Sequence, residues 1–181
     1  RGHRIIPIDP AMNDLSQYDW NEVDAVFIAL HGTYGEDGQV QAILERASIP
    51  FTGSDSAASQ LSFSKPASKE RFTQCHLPTP AYVLIHETDN AAWIGGQAKK
   101  LGFPLVVKPD AQGSSLGVSI AKSPKNLPQA LTECFHYDAF GLLETVIEGS
   151  EWTVGFLNDR ALPLIQIETG RPFFDYNAKY T

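Results

Sequence analysis

The sequence predicts an α/β unit followed by an α+β unit with a mostly antiparallel sheet. The first unit is indicated by residues 24–30 (DAVFIAL), a continuous apolar run typical of a buried parallel strand, which precedes an amphipathic helix. The second unit is indicated by the order strand, helix, strand, loop, strand, helix, strand and hairpin after residue 80. Residues 77–80 (LPTP) are typical of a linker, so we place the domains at residues 1–76 and 77–181.

The first unit contains three predicted helices and three predicted strands. Besides residues 24–30, short strands are expected at residues 4–9 (RIIPID) and 49–53, and the proline in the former favours a sheet edge. The first helix has an apolar face with the spacing i, i+3, i+4, i+7, formed by Val40, Ile43, Leu44 and Ala47. A second helix is expected to begin at Ser54, and a third at Lys65, which is followed by proline.

The second unit is expected to form its sheet from segments separated by two helices. One helix ends at Gly102, a favourable C-cap residue, and the other begins after Ser123 and a proline. The pair Asn158–Asp159 predicts a hairpin turn. The strands are predicted at residues 81–85, 103–108, 118–120, 141–147, 151–157 and 161–167.

Composition describes a globular protein without a nucleic-acid or membrane partner. Fourteen Lys and Arg against 21 Asp and Glu give a net charge of −7 and a pI near 5.1, and no basic stripe is present. The mean hydropathy is −0.18, and the sequence contains neither a signal peptide nor an apolar run of membrane length. The two cysteines, Cys75 and Cys134, lack a metal-binding spacing, so we expect free thiols in a reducing cytoplasm.

A glycine loop, residues 112–117 (QGSSLG), is the strongest candidate for a binding site. Gly113 lets the backbone approach a ligand, and Ser114 and Ser115 add hydroxyl groups beside the backbone N–H groups. Lys108 precedes the loop with a positive charge, and this combination is typical of polyphosphate binding. The loop chemistry alone leaves a solvent-exposed glycine hairpin as an equal alternative.

Two further features point to a ligand, although each has a simpler alternative. Residues 31–38 (HGTYGEDG) follow the predicted parallel strand, at the end where open α/β sheets bind ligands. Helix capping would explain Glu36 and Asp37 but not His31. Lys65 stands at a helix start, where its charge opposes the helix dipole, so an anionic partner and a solvated lysine are both open.

Six runs in order resemble the D-alanine–D-alanine ligases, which are ATP-grasp enzymes. The resemblance covers nearly the whole chain and implies an α/β pre-ATP-grasp part followed by the α+β ATP-grasp central subdomain, as an internal segment lacking both chain ends. The runs are HGTYGEDG from His31, FTGS from Phe51, SFSK from Ser62, FPLVVKPDAQGSSLGVS from Phe103, LLETVIEGSEWTV from Leu142 and FFDYNAKYT from Phe173.

The resemblance implies the residues that bind the nucleotide base and ribose. Glu144 matches the acid at the adenine amino group, and Glu151 matches the acid at the ribose hydroxyls. Thr145, Val146 and Ile147 match the segment that offers backbone groups and apolar surface to the purine. A carboxylate in an apolar strand is costly without a donor partner, which agrees with a ligand role for Glu144.

The resemblance also implies the residues around the phosphates and the reacting groups. Lys65 and Lys108 match lysines that hold ATP phosphates, and Ser114 and Ser115 match the lid that closes over them. At the reaction centre, the resemblance implies that Lys179 reaches the transferred phosphate and that His31 lies beside the amino-acid substrates. It also implies that Tyr180 forms a hydrogen bond with Ser114 and favours an amine as the second substrate.

The implied reaction joins two D-alanine molecules at the expense of ATP, through an acyl phosphate, for peptidoglycan precursors. The resemblance implies Mg²⁺ or Mn²⁺ with ligands beyond Thr181, so no metal site is expected in these residues, and a homodimer. We expect these 181 residues alone to bind nucleotide weakly without turnover. Another ATP-grasp carboxylate–amine ligase and a non-catalytic nucleotide-binding module remain alternatives, and Val146, Phe174 and Asn177 depart from residues common in the family.

Overall fold

The computed structural model describes residues 2–168, which form two compact units. One unit extends to Ser68 and the other begins at Lys69, so the division falls inside helix α3 (Lys65–Gln74). Lys69 belongs to the second unit because its side chain contacts residues of that unit. The predicted domain boundary after residue 76 lies downstream of this division and stays a prediction.

The helices of the first unit agree with the sequence pattern. Helix α1 (Gln39–Arg46) buries Val40 and Leu44 against an apolar cluster, and helix α2 (Ser56–Phe63) begins after Asp55, whose side chain accepts from the Ala58 N–H. Glu45 of α1 joins the two helices by accepting hydrogen bonds from the N–H and hydroxyl of Ser56. Helix α1 thus buries its apolar face, as amphipathic periodicity requires, whereas α2 is mostly exposed and buries Ser59.

The strands predicted for the first unit are wrong in two places. Residues 4–9 form no strand, because no other described segment pairs with them, and Ile5 is exposed. Residues 24–30 form one parallel bridge, between Val26 and Phe51, in place of a strand covered on both sides. Val26, Ile28 and Leu30 pack on the cluster below α1, whereas Phe27 on the other side is 78% exposed, so only one side of the segment is covered.

The second unit is built on a four-stranded antiparallel sheet, as the sequence predicts. The strands lie in the order β1, β4, β2, β3, with β4 and β2 in the centre. Two helices, α4 (Ala91–Leu101) and α5 (Leu127–Phe135), pack on the sheet. The strands are β1 (Tyr82–His86), β2 (Leu105–Pro109), β3 (Ser119–Ala121) and β4 (Phe140–Thr145).

The two faces of this sheet have different chemistry. Leu105, Val107 and Leu143 are fully buried in the core beneath α4 and α5. Because side chains alternate along a strand, Lys108 of β2 and Glu144 of β4 point to the opposite face. The sheet therefore separates an apolar core from a face with buried charge.

The predicted hairpin after β4 forms, but as two short ladders. Asn158 and Asp159 both have positive φ, at 47° and 60°, as the predicted tight turn requires. The pairs are β5 (Glu151–Thr153) with β8 (Ile165–Ile167), and β6 (Phe156–Leu157) with β7 (Arg160–Ala161). No helix among residues 2–168 has the length and apolar character needed to cross a bilayer.

Close packing of α5 against β4 requires glycine at position 141. A Cβ atom there would lie 2.5 Å from the Sγ atom of Cys134, which is fully buried. We expect Gly141→Ala to lower the free energy of unfolding by about 1–3 kcal/mol, because α5 would have to move off the sheet. The measurement is urea unfolding.

Gly96→Ala is the matched control for this prediction. A Cβ atom at Gly96, inside α4, would meet nothing within 4 Å. The control is expected to stabilise the chain by about 0.5–1 kcal/mol, since alanine is the better helix former. Equal effects of the two substitutions would contradict the packing argument.

Candidate functional site

The charged face of the sheet holds a cluster of one carboxylate and two ammonium groups, which we call the Glu144 cluster: Lys69, Lys108 and Glu144. Lys108 Nζ donates to Glu144 Oε1 over 2.7 Å, and Lys69 Nζ lies 2.7 Å from Glu144 Oε2. The side chains of Lys69 and Glu144 are 7% and 10% exposed, and that of Lys108 is 20% exposed. The cluster has a net charge of +1 and is largely removed from water.

The backbone explains why these three groups meet. In the register of the sheet Glu144 lies opposite Val106 of β2 and Tyr82 of β1, and Lys108 is two residues beyond Val106 on the same face. Diagonal neighbours at this offset are within reach of long side chains. Lys69 reaches the same carboxylate from helix α3.

Lys69 is held by two further contacts within the second unit. Its ammonium group donates to the Thr79 hydroxyl over 2.7 Å and lies 4.9 Å from the centre of the Tyr82 ring. Burial, together with the charge of Glu70, raises the pKa of Tyr82, so its hydroxyl stays neutral at physiological pH. A neutral aromatic ring and a hydroxyl oxygen are favourable surroundings for a buried ammonium group.

Each carboxylate oxygen of Glu144 faces one lysine. Oε2 is buried and lies 2.7 Å from Lys69 Nζ, and Oε1 accepts from Lys108. Lys69 Nζ also donates to Thr79, since an ammonium group carries three donors. A carboxylate oxygen has two lone pairs, so Oε2 can accept a second hydrogen bond from a ligand donor.

The glycine loop beside Lys108 has a constrained backbone. Ser114 and Ser115 both have positive φ, at 53° and 59°, which costs a non-glycine residue about 1–3 kcal/mol. Gly117 also has positive φ (68°), and a Cβ atom there would lie 2.7 Å from Pro109 and 2.8 Å from Tyr137. Strain of this kind is concentrated at ligand sites, and it agrees with a loop shaped for binding.

Hydrogen bonds tie the start of the glycine loop to the end of α5. The Ala111 N–H donates to Asp138 Oδ2 over 2.8 Å, and the Gln112 side chain donates to the Tyr137 carbonyl over 3.1 Å. Within the loop, the Leu116 N–H donates to the Gly113 carbonyl over 3.1 Å. The loop thus begins at a fixed point next to Lys108.

The segment after β4 provides apolar surface next to Glu144. Thr145 is engaged with the Ala81 carbonyl through its N–H and its hydroxyl, at 3.0 and 3.4 Å. Val146 is half-buried and Ile147 is 71% exposed, while Glu151 begins β5 with an exposed side chain. An exposed aliphatic side chain close to a buried acceptor suits a flat heterocycle with an amino group.

The first unit contributes its loop at residues 31–38 as a separate candidate site. Glu36 accepts from the Gly32 N–H over 2.6 Å, and Asp37 accepts from the Tyr34 and Gln39 N–H groups over 2.8 and 3.1 Å. The two acids therefore brace the loop and the start of α1. His31 is exposed, as a substrate-contacting residue would be.

The structure brings together some of the predicted site residues. Lys108 and Glu144 meet directly, with the glycine-loop serines a few residues beyond Lys108. Lys65 is the first residue of α3 and belongs to the first unit. Lys179 and Tyr180 lie outside the described residues, so their implied roles stay predictions.

The residue that sequence reasoning missed is Lys69. Two signals could have identified it: an acid within an apolar strand requires a cationic partner, and Lys69 lies one helical turn after Lys65. Among residues 2–168 no group of three or more His, Cys, Asp or Glu side chains could hold a metal ion.

The braced loop predicts a pH-dependent contribution to stability. Burial alone would raise the pKa of Asp37, but hydrogen bonds from Tyr34 and Gln39 outweigh it and lower that pKa below its usual 3.8. A lowered native pKa stabilises the fold at neutral pH, and this contribution disappears as the pH falls below the usual value. Asp37→Asn should therefore destabilise the chain at pH 7, with a smaller difference from the unsubstituted protein near pH 3.

Urea unfolding at both pH values measures this difference. Asp24→Asn, at an exposed position of the same unit, is the control and is expected to change stability by less than about 0.5 kcal/mol at either pH. A difference for Asp37→Asn that is constant with pH would contradict the role given to its carboxylate.

Comparison with protein families gives two matches in chain order. Residues 8–54 match the family model described as D-ala D-ala ligase N-terminus, and residues 72–181 match D-ala D-ala ligase C-terminus. The second match alone covers more than half of the chain. Both candidate sites, the loop at residues 31–38 and the Glu144 cluster with its glycine loop, lie mainly within these matched segments.

Individual relatives agree with the family models. A D-alanine–D-alanine ligase of Geobacter sulfurreducens is 43% identical over 100% of this chain and 56% of its own length, and one of Marinobacter nauticus is 45% identical over 92% and 50%. The crystal structure of the Bacillus anthracis D-alanine–D-alanine ligase matches with a TM-score of 0.77 and 38% identity, over 89% of this chain and 52% of that one. The same enzyme complexed with ATP matches with a TM-score of 0.72 and 35% identity, over 83% and 50%. The chain spans about half the length of the curated relatives it matches.

Proposed function

Because the chain belongs to the D-alanine–D-alanine ligase family, whose ATP-grasp fold it shares, we propose that it forms the nucleotide-binding part of an ATP-dependent ligase that joins two D-alanine molecules. The observation that supports this most is the Glu144 cluster. It combines a buried carboxylate held by two lysines, a lysine at the start of a glycine loop, and a net positive charge. Adenine would donate a further hydrogen bond to the carboxylate, and the phosphates would balance the positive charge.

The purine would lie over the end of β4. Its amino group would donate to Glu144 Oε2, and the aliphatic surface of Val146 and Ile147 would pack on the ring. Glu151 would accept from the ribose hydroxyls. Thr145 would lie at the edge of the purine, and its N–H already donates to the Ala81 carbonyl.

The phosphates would lie between Lys108 and the glycine loop. Lys108 is the more exposed of the two cluster lysines, so it can turn from Glu144 to a phosphate oxygen. Ser114 and Ser115 would add hydroxyl and N–H donors. The resemblance assigns a phosphate contact to Lys65 as well. Closing the loop would exclude water, which would otherwise hydrolyse the acyl phosphate.

The reacting groups are proposed from the family resemblance. The carboxylate of one D-alanine would attack the γ-phosphate, and the amine of the second would displace phosphate from the resulting acyl phosphate. The resemblance assigns roles toward these groups to His31, Ser114, Lys179 and Tyr180. Positioning and neutralisation of charge would account for most of the rate, as in other phosphoryl transfers.

Several properties of the whole protein belong to the same proposal. It would use Mg²⁺ or Mn²⁺ with ATP, act in the cytoplasm on peptidoglycan precursors, and assemble as a homodimer. A ligase with a different acceptor is the second candidate, and a non-catalytic nucleotide-binding module is the third. The pairing of Lys108 with Glu144 is compatible with a nucleotide site in all three candidates, so turnover is what distinguishes the third.

The test is phosphate release by the full-length protein that contains these residues, with ATP and a divalent cation. We expect release to require D-alanine, to yield the dipeptide, and not to be supported by L-alanine. D-Lactate added beside D-alanine should not replace the amine acceptor. Release driven only by another acid would favour the second candidate, and nucleotide binding without release would favour the third.

Lys108→Met tests the phosphate contact in the same assay. Loss of one charge-assisted contact should raise the KM for ATP roughly 10- to 100-fold. Glu144 keeps Lys69 as its partner in this variant, so the fold should persist. Lys100→Met, in the exposed last turn of α4, is the control and should leave the KM unchanged. An unchanged KM for Lys108→Met would contradict the proposed phosphate site.

A further inference from the structure

Lys69 is buried too deeply to be a contact residue for a nucleotide. Its side chain is 7% exposed, and its ammonium group is enclosed by the Glu144 carboxylate, the Thr79 hydroxyl and the Tyr82 ring. Each of these neighbours belongs to the second unit. Its surroundings are therefore those of a fixed internal cation.

The two cluster lysines differ in how firmly they are held. The side chain of Lys108 is 20% exposed and donates to Glu144 Oε1. The side chain of Lys69 is 7% exposed and contacts the Glu144 carboxylate, the Thr79 hydroxyl and the Tyr82 ring. A ligand phosphate can therefore draw Lys108 away more easily than Lys69. If Lys108 leaves, Glu144 would be a buried carboxylate without a partner unless a second cation remains.

We propose that Lys69 is the positioning residue for Glu144: it holds the carboxylate in place and keeps Oε2 directed to the purine amino group while Lys108 turns to the phosphates. This inference rests on the proposed nucleotide site. In this inference Lys69 remains paired with Glu144, whereas Lys108 exchanges Glu144 for a phosphate when the nucleotide binds. The bond from Lys69 Nζ to Thr79 fixes the ammonium group beside Oε2.

The position of Lys69 makes base selection depend on a residue that does not touch the base. A fixed acceptor at Oε2 favours adenine, which has a 6-amino donor, over hypoxanthine, which has a carbonyl oxygen there. Without Lys69, Glu144 would follow Lys108 or rotate toward water, and the acceptor would no longer be fixed. The preference for ATP over ITP is therefore the quantity that reports on Lys69.

The experiment compares kcat/KM for ATP and ITP in the full-length protein and in Lys69→Met. The unsubstituted protein should prefer ATP roughly tenfold or more, the effect of one hydrogen bond to a charged group. Lys69→Met should bring the ratio close to one, and Lys69→Arg should restore most of the preference. A purely structural role would lower activity with both nucleotides and leave their ratio unchanged, which would overturn the inference.

A second variant covers the case in which Lys69→Met does not fold. Thr79→Val removes the hydroxyl that orients Lys69 and leaves every charge in place. A reduced ATP preference in Thr79→Val supports the inference, and an unchanged preference overturns it. Lys100→Met is the control and should keep the full preference.

The unsubstituted protein separates failure of this inference from failure of the proposed function. If it uses neither nucleotide, the nucleotide site itself is refuted. If it uses both equally, Glu144 does not read the amino group and the role of Lys69 is overturned, although a ligase activity would stand.

Discussion

The second unit depends on neutralising one carboxylate, that of Glu144, inside a folded sheet. An ionised group removed from water is tolerated only with charged partners and hydrogen bonds. Lys108 comes from the neighbouring strand and Lys69 from a helix that precedes the sheet in sequence, so the ion pairs join segments far apart in the chain. The same ion pairs leave a surplus positive charge at the mouth of the glycine loop. Stability and affinity for an anion thus have a common origin.

The sheet makes this arrangement possible by separating its two faces. Leu105, Val107 and Leu143 bury one face beneath the helices, and this apolar core fixes the register of β2 and β4. A slip by one residue would move Glu144 into the core and the leucine beside it to the charged face. The geometry of the site is therefore set by apolar packing on the other side of the sheet.

Much of this could be predicted from the sequence, and the failures have physical causes. The helices, the glycine loop and the need of Glu144 for a donor partner follow from local periodicity and from the cost of an unpaired acid. The pairing of Lys108 with Glu144 emerges only from the register of the sheet. The buried strand at residues 24–30 was overpredicted, because an apolar run does not reveal whether both faces are covered. Lys69 was missed because its partner is distant in sequence and helix α3 has little amphipathic pattern. The reaction-centre residues Lys179 and Tyr180 rest on the family resemblance.

The most direct test of the account is a crystal structure of the protein with a non-hydrolysable ATP analogue. We expect Lys69 Nζ to remain near its present 2.7 Å from Glu144 Oε2, with the purine amino group within hydrogen-bond distance of that oxygen. Lys108 Nζ should have left Glu144 Oε1 for a phosphate oxygen. A nucleotide bound elsewhere, with Glu144 still holding both lysines, would contradict the account.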